Sequence, residues 1–214
     1  LLGLPMMPAL AEEIAVQRDL FLLEYTHSKL HLLDISTARS TEMIKQFKKK
    51  KLNLSCSVNA YQLLLNDSAV GSYNTLCKLN PPLRPASDVT AIINAVSSGV
   101  IDAVTSGHQP HETDCKNVEF DKAEFGMIGL ETCFAITNTA LKQKMEVSYI
   151  VSLVSNNPRK ILGLPTSINE QEPADLTLFD PEKKWTFTEA DIQSQSRNSP
   201  FIGQSFTGKS LGII

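Results

Sequence analysis

Hydrophobic residues along this chain follow two kinds of spacing, one typical of helices and one typical of buried strands. In residues 8–25, Val16, Leu20 and Leu23 recur at helical spacing between charged positions, which predicts an amphipathic helix. Further helices are predicted at residues 37–47, 61–65, 88–96, 148–154 and 158–162. Short apolar or alternating runs predict strands at residues 29–35, 52–58, 73–79 and 101–105. Strands that alternate with helices indicate βαβ units and a parallel sheet of the α/β class.

The pattern changes in the last quarter of the chain. Residues 175–180 and 185–188 resemble short strands, and a tail rich in Gly, Ser and Pro follows them. Little helical spacing remains in this part. We therefore predict an α/β body over residues 1–165 and a small β segment over residues 166–214.

Composition narrows the class of protein. Of 214 residues, 42% are hydrophobic and 20% charged, which is typical of a soluble globular domain. The formal net charge of −3 argues against general affinity for nucleic acid or anionic lipid, and we interpret the lysine cluster at residues 48–51 as a solvated helix end. The chain shows no signal peptide, no membrane-spanning apolar run and no CxxC pair, so we predict a reduced, cytoplasmic protein. It begins without Met, and we expect it to be part of a longer protein.

Polar residues follow the predicted strands, where chemistry collects in parallel α/β folds. His108 and His111 follow the last of them, and paired histidines favour a zinc site. Asp34 is the only carboxylate at another strand end, so such a site would need ligands from outside the chain. Alternatively, both histidines bond the loop backbone. Ser106 beside His108 is a weaker nucleophile hypothesis, because no G-x-S-x-G motif surrounds it.

The order of the motifs carries a resemblance to a known family. The motifs are H-L-L-D-I-S-T-A-R-S, L-N-P-P-L-R, G-V-I-D-A-V-T-S-G-H-Q-P-H, F-D-K-A-E-F-G-M-I-G-L-E-T, N-P-R-K-I-L-G-L, A-D-L-T-L-F-D-P and S-R-N-S-P-F-I-G. In this order they resemble the C-terminal half of a dihydroorotase of the long bacterial type, a member of the amidohydrolase superfamily. The resemblance covers essentially the whole chain.

The resemblance implies a TIM-type (β/α)8 barrel with a flanking β domain. The four predicted strands would be barrel strands five to eight, and residues 166–214 would be the C-terminal share of the flanking domain. Half a barrel exposes sheet edges and an apolar face. We therefore expect a partner, which is either the remaining half of the barrel or a second copy of the chain.

The resemblance also implies a zinc site, from which this sequence departs. Active members bind zinc through a histidine after strand five, a histidine after strand six and an aspartate after strand eight, and the aspartate is also the general base. Here Asp34, Tyr61 and Gly107 occupy these positions. Glycine can neither bind a metal nor accept a proton. We therefore expect no catalytic residue and no zinc in this chain.

The positions that hold the substrate in the family are retained. The resemblance assigns Asn80, His111 and the backbone of Phe125 and Gly126 to binding of dihydroorotate, and Arg84 remains able to pair with a carboxylate. A structural explanation is also open, in which Asn80 caps a turn, Gly126 supplies a positive φ and His111 holds the loop.

Three functions remain open at this point. The first is a catalytically inactive dihydroorotase-like protein with a structural or regulatory role, for which the resemblance names aspartate transcarbamoylase as partner. The second is an active dihydroorotase or other amidohydrolase in which Asp34, His108 and His111 join metal ligands from the absent half. The third is a non-catalytic binder of a pyrimidine-like acid such as dihydroorotate.

Overall fold

The computed structural model describes residues 7–171 and 173–214. Its helices are α1 (Ala9–Thr26), α2 (Ala38–Lys48), α3 (Ala86–Ser97), α4 (Thr113–Lys116), α5 (Cys133–Leu141), α6 (Val147–Val151) and α7 (Asn157–Leu162). Its strands are β1 (Lys29–Leu32), β2 (Asn53–Asn59), β3 (Ala103–Thr105), β4 (Thr177–Thr186) and β5 (Ser205–Ile213). A π-helical turn, Ser152–Asn156, joins α6 to α7.

Three parallel strands form the sheet of the α/β body in the order β1-β2-β3. Leu32 lies opposite Cys56, and Val58 lies opposite Val104. These side chains are buried, as expected for a parallel sheet that is covered by helices. The alternating pattern of the sequence is therefore confirmed, and the carboxyl ends of the three strands lie at one edge of the sheet.

The predicted strand at residues 73–79 is wrong. This segment forms turns, including a 3₁₀ turn at Thr75–Cys77, and β3 pairs directly with β2. The Asn74 side chain accepts a hydrogen bond from the backbone N–H of Leu76 (3.1 Å), which favours a local turn over a ladder. Pro81 and Pro82, which follow, have no N–H to donate. The described part of the chain therefore contributes three strands to this sheet, where the sequence predicted four.

The β segment at the end of the chain is an antiparallel ribbon of β4 and β5, as expected. It packs against α5, where Asn138 Nδ2 donates to the carbonyls of Pro181 and Thr207, each over 2.9 Å. Phe187 and Phe201 are fully buried beneath it, within the same apolar core as the sheet. The boundary at residue 165 stays a prediction. Among the described helices, none is long and apolar enough to cross a membrane.

Candidate functional site

A cluster of polar side chains occupies the carboxyl ends of the three parallel strands. We call Asp34, Asn59, Tyr61 and Thr105 the strand-end cluster. Thr105 Oγ1 donates to Asn59 Oδ1 (2.8 Å), and Asn59 Nδ2 donates to the Tyr61 hydroxyl oxygen (2.9 Å). Asn59 therefore uses both ends of its amide to join two strand ends, and Tyr61 is held with 3% of its surface exposed.

The surroundings of this cluster favour uncharged side chains. Burial raises the pKa of the Asp34 carboxyl, and hydrogen bonds from Asn59 and Thr105 oppose that shift in part. Burial also raises the pKa of the Tyr61 hydroxyl, and the charge of Asp34 raises it further. Asp34 stands in the left-handed region, at φ 59°, two residues after the end of β1. Burial therefore shifts both groups toward their protonated forms, whereas metal binding requires deprotonated ligands.

Gly107 lies against this cluster with no room for a side chain. A Cβ atom placed on it would lie 2.7 Å from Tyr61 Cε1 and 2.9 Å from both Cγ and Oδ1 of Asn59. The backbone there has φ 59°, which glycine adopts without strain. Tyr61 and Asn59 thus fill the space that a side chain at position 107 would need.

The three positions that the resemblance assigns to zinc ligands do not fit zinc. Gly107 offers no donor atom, and the Tyr61 oxygen is buried and already accepts the Asn59 bond. Asp34 alone retains a ligand of the usual kind, and three protein ligands are the norm for catalytic zinc. Among residues 7–171 and 173–214, no group of three His, Cys, Asp or Glu side chains is placed to hold a metal ion.

Both candidate histidines bond the loop backbone. His108 Nδ1 accepts from the N–H groups of Gly129 (3.2 Å) and Leu130 (3.4 Å). His111 Nε2 donates to the Phe125 carbonyl (2.8 Å). These bonds support the structural role that the sequence left open, and they leave Nε2 of His108 and Nδ1 of His111 available to a ligand.

Next to the strand-end cluster lies an open pocket of about 480 Å³. Its walls are formed by Asn80, His108, Gln109, Pro110, His111 and Phe125. Three of the residues that the resemblance assigned to substrate binding, Asn80, His111 and Phe125, are thus brought to one pocket from three separate segments. We call it the Asn80 pocket.

The wall that contains Phe125 is fixed from several sides. The Gly126 N–H donates to the Lys78 carbonyl (2.9 Å), and the Lys78 ammonium lies 4.7 Å from the centre of the Phe125 ring. Gly126 has φ 126°, and a Cβ there would lie 2.4 Å from Gln109 Oε1. The positive φ expected of Gly126 is therefore present.

A buried lysine supports the same wall. Lys116, with 6% of its surface exposed, donates to the carbonyls of Glu124 (2.6 Å), Thr75 (3.2 Å) and Lys78 (3.5 Å). Burial, reinforced by the charge of Lys78, lowers the pKa of Lys116 to about 8. Nothing in the sequence pattern distinguished this lysine from those on the surface.

The structure does not bring Arg84 to the Asn80 pocket. Its guanidinium pairs with Glu12 (3.6 Å) and donates to Ser36 Oγ (3.0 Å) and to the Met7 carbonyl (2.8 Å). Because Glu12 supplies the carboxylate that this arginine pairs with, Arg84 joins α1 to the loop after β1. The sequence suggested that Arg84 pairs with the carboxylate of a ligand. Its actual partner, Glu12 on α1, is distant along the chain, so no local pattern indicated it.

Sequence reasoning also missed Asn198. It belongs to the motif S-R-N-S-P-F-I-G near the C-terminus, and 4% of its surface is exposed. Its side chain bonds the backbone of His111, Gln109 and Gly126. The motif marked the segment, but no local pattern shows which distant loops it contacts.

A larger cavity, of about 710 Å³, lies elsewhere between the α5–α7 region and β4. Arg159, Asp175 and Phe179 are among its lining residues. It contains none of the candidate site residues. The candidate site is therefore the smaller pocket, which the retained residues line.

Comparison with known sequences relates the chain to dihydroorotases. No protein-family model matches it. It is 39% identical to the dihydroorotase of Geotalea daltonii in an alignment of 215 residues, which covers 100% of this chain and 51% of that protein. It is 40% identical to the dihydroorotase of Caldicellulosiruptor saccharolyticus over 208 residues, which are 96% of this chain and 48% of that protein. The chain spans about half the length of these relatives.

Comparison with solved structures confirms the fold. The chain matches the L-hydantoinase of Arthrobacter aurescens with a TM-score of 0.89 at 24% identity, covering 97% of this chain and 48% of that one. It matches the inactive dihydroorotase-like domain of a CAD-like multifunctional protein from Chaetomium thermophilum with a TM-score of 0.65 at 18% identity, covering 92% of this chain and 54% of that one. The chain thus has the fold of the C-terminal portion of an amidohydrolase TIM barrel.

Proposed function

Because the chain belongs to the dihydroorotase family and corresponds to the C-terminal half of its relatives, we propose that the protein is a catalytically inactive dihydroorotase homologue with a structural or regulatory role in pyrimidine biosynthesis. The observation that carries this proposal is the contact between Gly107 and Tyr61. Position 107 corresponds to the family's general base, and a Cβ there would lie 2.7 Å from the Tyr61 ring.

The three exchanges support one another physically. A carboxylate at position 107 needs the space that Tyr61 and Asn59 occupy, and Tyr61 stands where the family has a metal-binding histidine. Asp34 at the third position is placed in surroundings that favour its neutral form. Hydrolysis requires an activated water and a base to take its proton. Among the residues that the structure describes, no group of three His, Cys, Asp or Glu side chains could hold a metal ion, and Gly107 cannot act as a base.

The test is metal analysis combined with a dihydroorotate hydrolysis assay. The protein is purified without chelator, and the dihydroorotase of Geotalea daltonii is assayed beside it. We expect less than stoichiometric zinc and no turnover in either direction between N-carbamoyl-L-aspartate and dihydroorotate. One tightly bound zinc per chain together with turnover would overturn the proposal and favour the alternative, in which Asp34, His108 and His111 join ligands from another segment.

A specific observation favours a second function, the binding of a pyrimidine-like acid without catalysis. Asn80, His111 and Phe125 line one pocket, and His108 directs its free ring nitrogen away from the backbone it bonds. Such a site offers an amide and two imidazole nitrogens to a ring with amide and carboxylate groups.

Calorimetry with dihydroorotate separates this binding role from a purely structural one. We expect binding by the wild type and its loss in Asn80→Ala, whereas Asn94→Ala, an exposed residue of α3, should bind like the wild type. An absence of heat in all three proteins excludes the binding role and leaves the structural one.

The partners of the protein also belong to this proposal. Within the described residues β1 pairs only with β2, and α1 exposes Leu10, Ile14 and Phe21 along one side. A free edge and an apolar stripe favour completion of the barrel by its remaining half or by a second copy.

The family resemblance supports aspartate transcarbamoylase as a further partner. Affinity purification with an aspartate transcarbamoylase assay tests it, and activity that stays entirely in the unbound fraction contradicts it.

A further inference from the structure

Asn198 joins two loops that are far from it in sequence. Its Oδ1 accepts from the His111 backbone N–H (3.2 Å), and its Nδ2 donates to the carbonyls of Gln109 (2.9 Å) and Gly126 (3.3 Å). Its own carbonyl accepts from the Ile128 N–H (3.1 Å). With 4% of its surface exposed, Asn198 makes all four bonds away from bulk water.

Residues of both loops line the Asn80 pocket. One loop follows β3 and contains Gln109 and His111, and the other contains Phe125 and Gly126. Gln109 and Met127 are also joined directly, because the Gln109 N–H donates to the Met127 carbonyl (2.7 Å). The Asn198 side chain, which does not line the pocket, completes the junction by bonding backbone groups of both loops.

The segment that contains Asn198 is itself anchored. Glu131 Oε1 accepts from the N–H groups of Gln193 (3.1 Å) and Ser194 (2.8 Å), and Phe201 is fully buried after Asn198. The segment therefore has little freedom to follow the loops if they move. A fixed side chain that bonds both walls holds the distance between them.

We propose that Asn198 is a positioning residue that fixes His111 and Phe125 for ligand binding in the Asn80 pocket, and so makes the pocket dependent on the C-terminal segment. This inference rests on the binding role proposed for that pocket. An amide is required because one end must accept and the other must donate. An aspartate of the same shape would turn an acceptor toward two carbonyl oxygens and weaken both contacts.

The test compares dihydroorotate binding by the wild type, Asn198→Asp, Asn198→Ala and Gln195→Glu. Gln195 is exposed on the same segment and provides the matched amide-to-carboxyl control. We expect Asn198→Asp to bind about tenfold more weakly at neutral pH, since a buried hydrogen-bonding group loses its partner. Gln195→Glu should bind like the wild type. Equal affinity of Asn198→Asp and the wild type overturns the inference.

A pH series separates positioning from general loss of structure. As the pH falls, the new carboxyl gains a proton and can donate again, so the affinity of Asn198→Asp relative to the wild type at the same pH should rise. The charged or titratable side chains nearby, His108, His111, Glu131 and Lys78, are the same in both proteins, so the ratio isolates the new carboxyl. A ratio that stays constant with pH contradicts the inference.

Backbone NMR keeps the inference testable if the wild type binds no dihydroorotate, which would defeat the proposed binding role alone. In Asn198→Asp the amide signals of His111 and Ile128 should shift and exchange faster with solvent, and the Gln195→Glu spectrum should match the wild type there. Unchanged His111 and Ile128 signals in Asn198→Asp show that Asn198 does not position the loops.

Discussion

At the scale of single residues, the candidate site depends on which side chains can coexist. Asn59 and Tyr61 lie at the end of β2, and Gly107 follows β3. Asn59 donates to the Tyr61 hydroxyl, and both side chains lie against the glycine. The space around Gly107 is filled by a hydrogen-bonded aromatic side chain. A return of the family's aspartate at this one position therefore meets an occupied space.

We predict that Gly107→Asp destabilises the protein by about 1–3 kcal/mol more than Gly163→Asp, because only the first forces overlap with packed neighbours. Gly163 is the matched control, with φ 73° and no atom within 4 Å of its ideal Cβ position. Urea unfolding measures both. Adding Tyr61→His to Gly107→Asp should recover part of the loss, and strictly additive effects would contradict the proposed contact.

We also predict that Asp34→Asn stabilises the protein at pH 7. Burial raises the Asp34 carboxyl pKa above its ordinary value of 3.8, so the folded state binds this proton more tightly than the unfolded state does. The free energy of unfolding therefore falls as the pH rises from the ordinary pKa through the raised pKa of the folded state. Asparagine does not titrate and avoids this loss. The gain should vanish below the ordinary pKa. Exposed Asp67→Asn is the control, and an unchanged urea midpoint for Asp34→Asn at pH 7 contradicts the prediction.

At the scale of elements, a half-buried carboxylate holds α1 to the start of α2. Glu12 accepts from the N–H groups of Ser36 (3.0 Å) and Thr37 (3.1 Å), and it bonds the Ser36 hydroxyl. It also pairs with Arg84, whose side chain is 10% exposed. Thr37 in turn caps α2 by accepting from the Ser40 N–H. The arginine expected at the ligand is thus a structural residue of this junction.

We predict that Glu12→Gln costs about 1.5–3 kcal/mol of unfolding free energy, since several donors lose a charged acceptor. The adjacent Glu13 pairs at 3.5 Å with Arg39, which is 71% exposed, and Glu13→Gln should cost less than about 0.5 kcal/mol. Dihydroorotate affinity of the folded protein should be the same in both variants. A selective loss of affinity in Glu12→Gln would return Arg84 to the binding site.

At the scale of the whole molecule, the C-terminal ribbon and the parallel sheet share one core. Thr207 bonds Thr139 through its N–H (2.9 Å), and Gly208 approaches Asn138 so closely that a Cβ would lie 2.7 Å from Nδ2. Trp185, the single tryptophan of the chain, lies in β4 and donates to the Gly208 carbonyl (2.9 Å). Its fluorescence therefore reports on docking of the ribbon.

We predict that Trp185 fluorescence and far-ultraviolet circular dichroism follow one urea transition in the wild type, because a shared core unfolds cooperatively. In Gly208→Ala, where φ is 99°, the fluorescence transition should move to lower urea ahead of the circular-dichroism transition. The shift should correspond to a loss of about 1–3 kcal/mol. Gly212→Ala, with no atom within 4 Å of its ideal Cβ, should match the wild type. Separate transitions in the wild type would show that the ribbon unfolds alone.

The sequence by itself determined most of the order of helices and strands, the family resemblance and the three positions, Asp34, Tyr61 and Gly107, to which that resemblance assigns the zinc ligands. Helical and alternating spacing are local properties, so α1, α2, α3 and the strands on either side of them were predicted. The prediction of a strand at residues 73–79 was wrong. The Asn74 side chain bonds the Leu76 N–H locally, whereas the hydrogen bonds of a strand would have to come from neighbouring strands.

Only the tertiary structure decided which side chains meet. Glu12 reaches Arg84, Asn198 reaches His111, and Tyr61 fills the space beside Gly107. The last two pairs are separated by 87 and 46 residues along the chain. Local spacing carries no information about such partners, because they are set by how strand ends and loops pack. The glycine at the position to which the resemblance assigns an aspartate was visible in the sequence, whereas the reason an aspartate does not fit there lies in the packing of Tyr61 and Asn59.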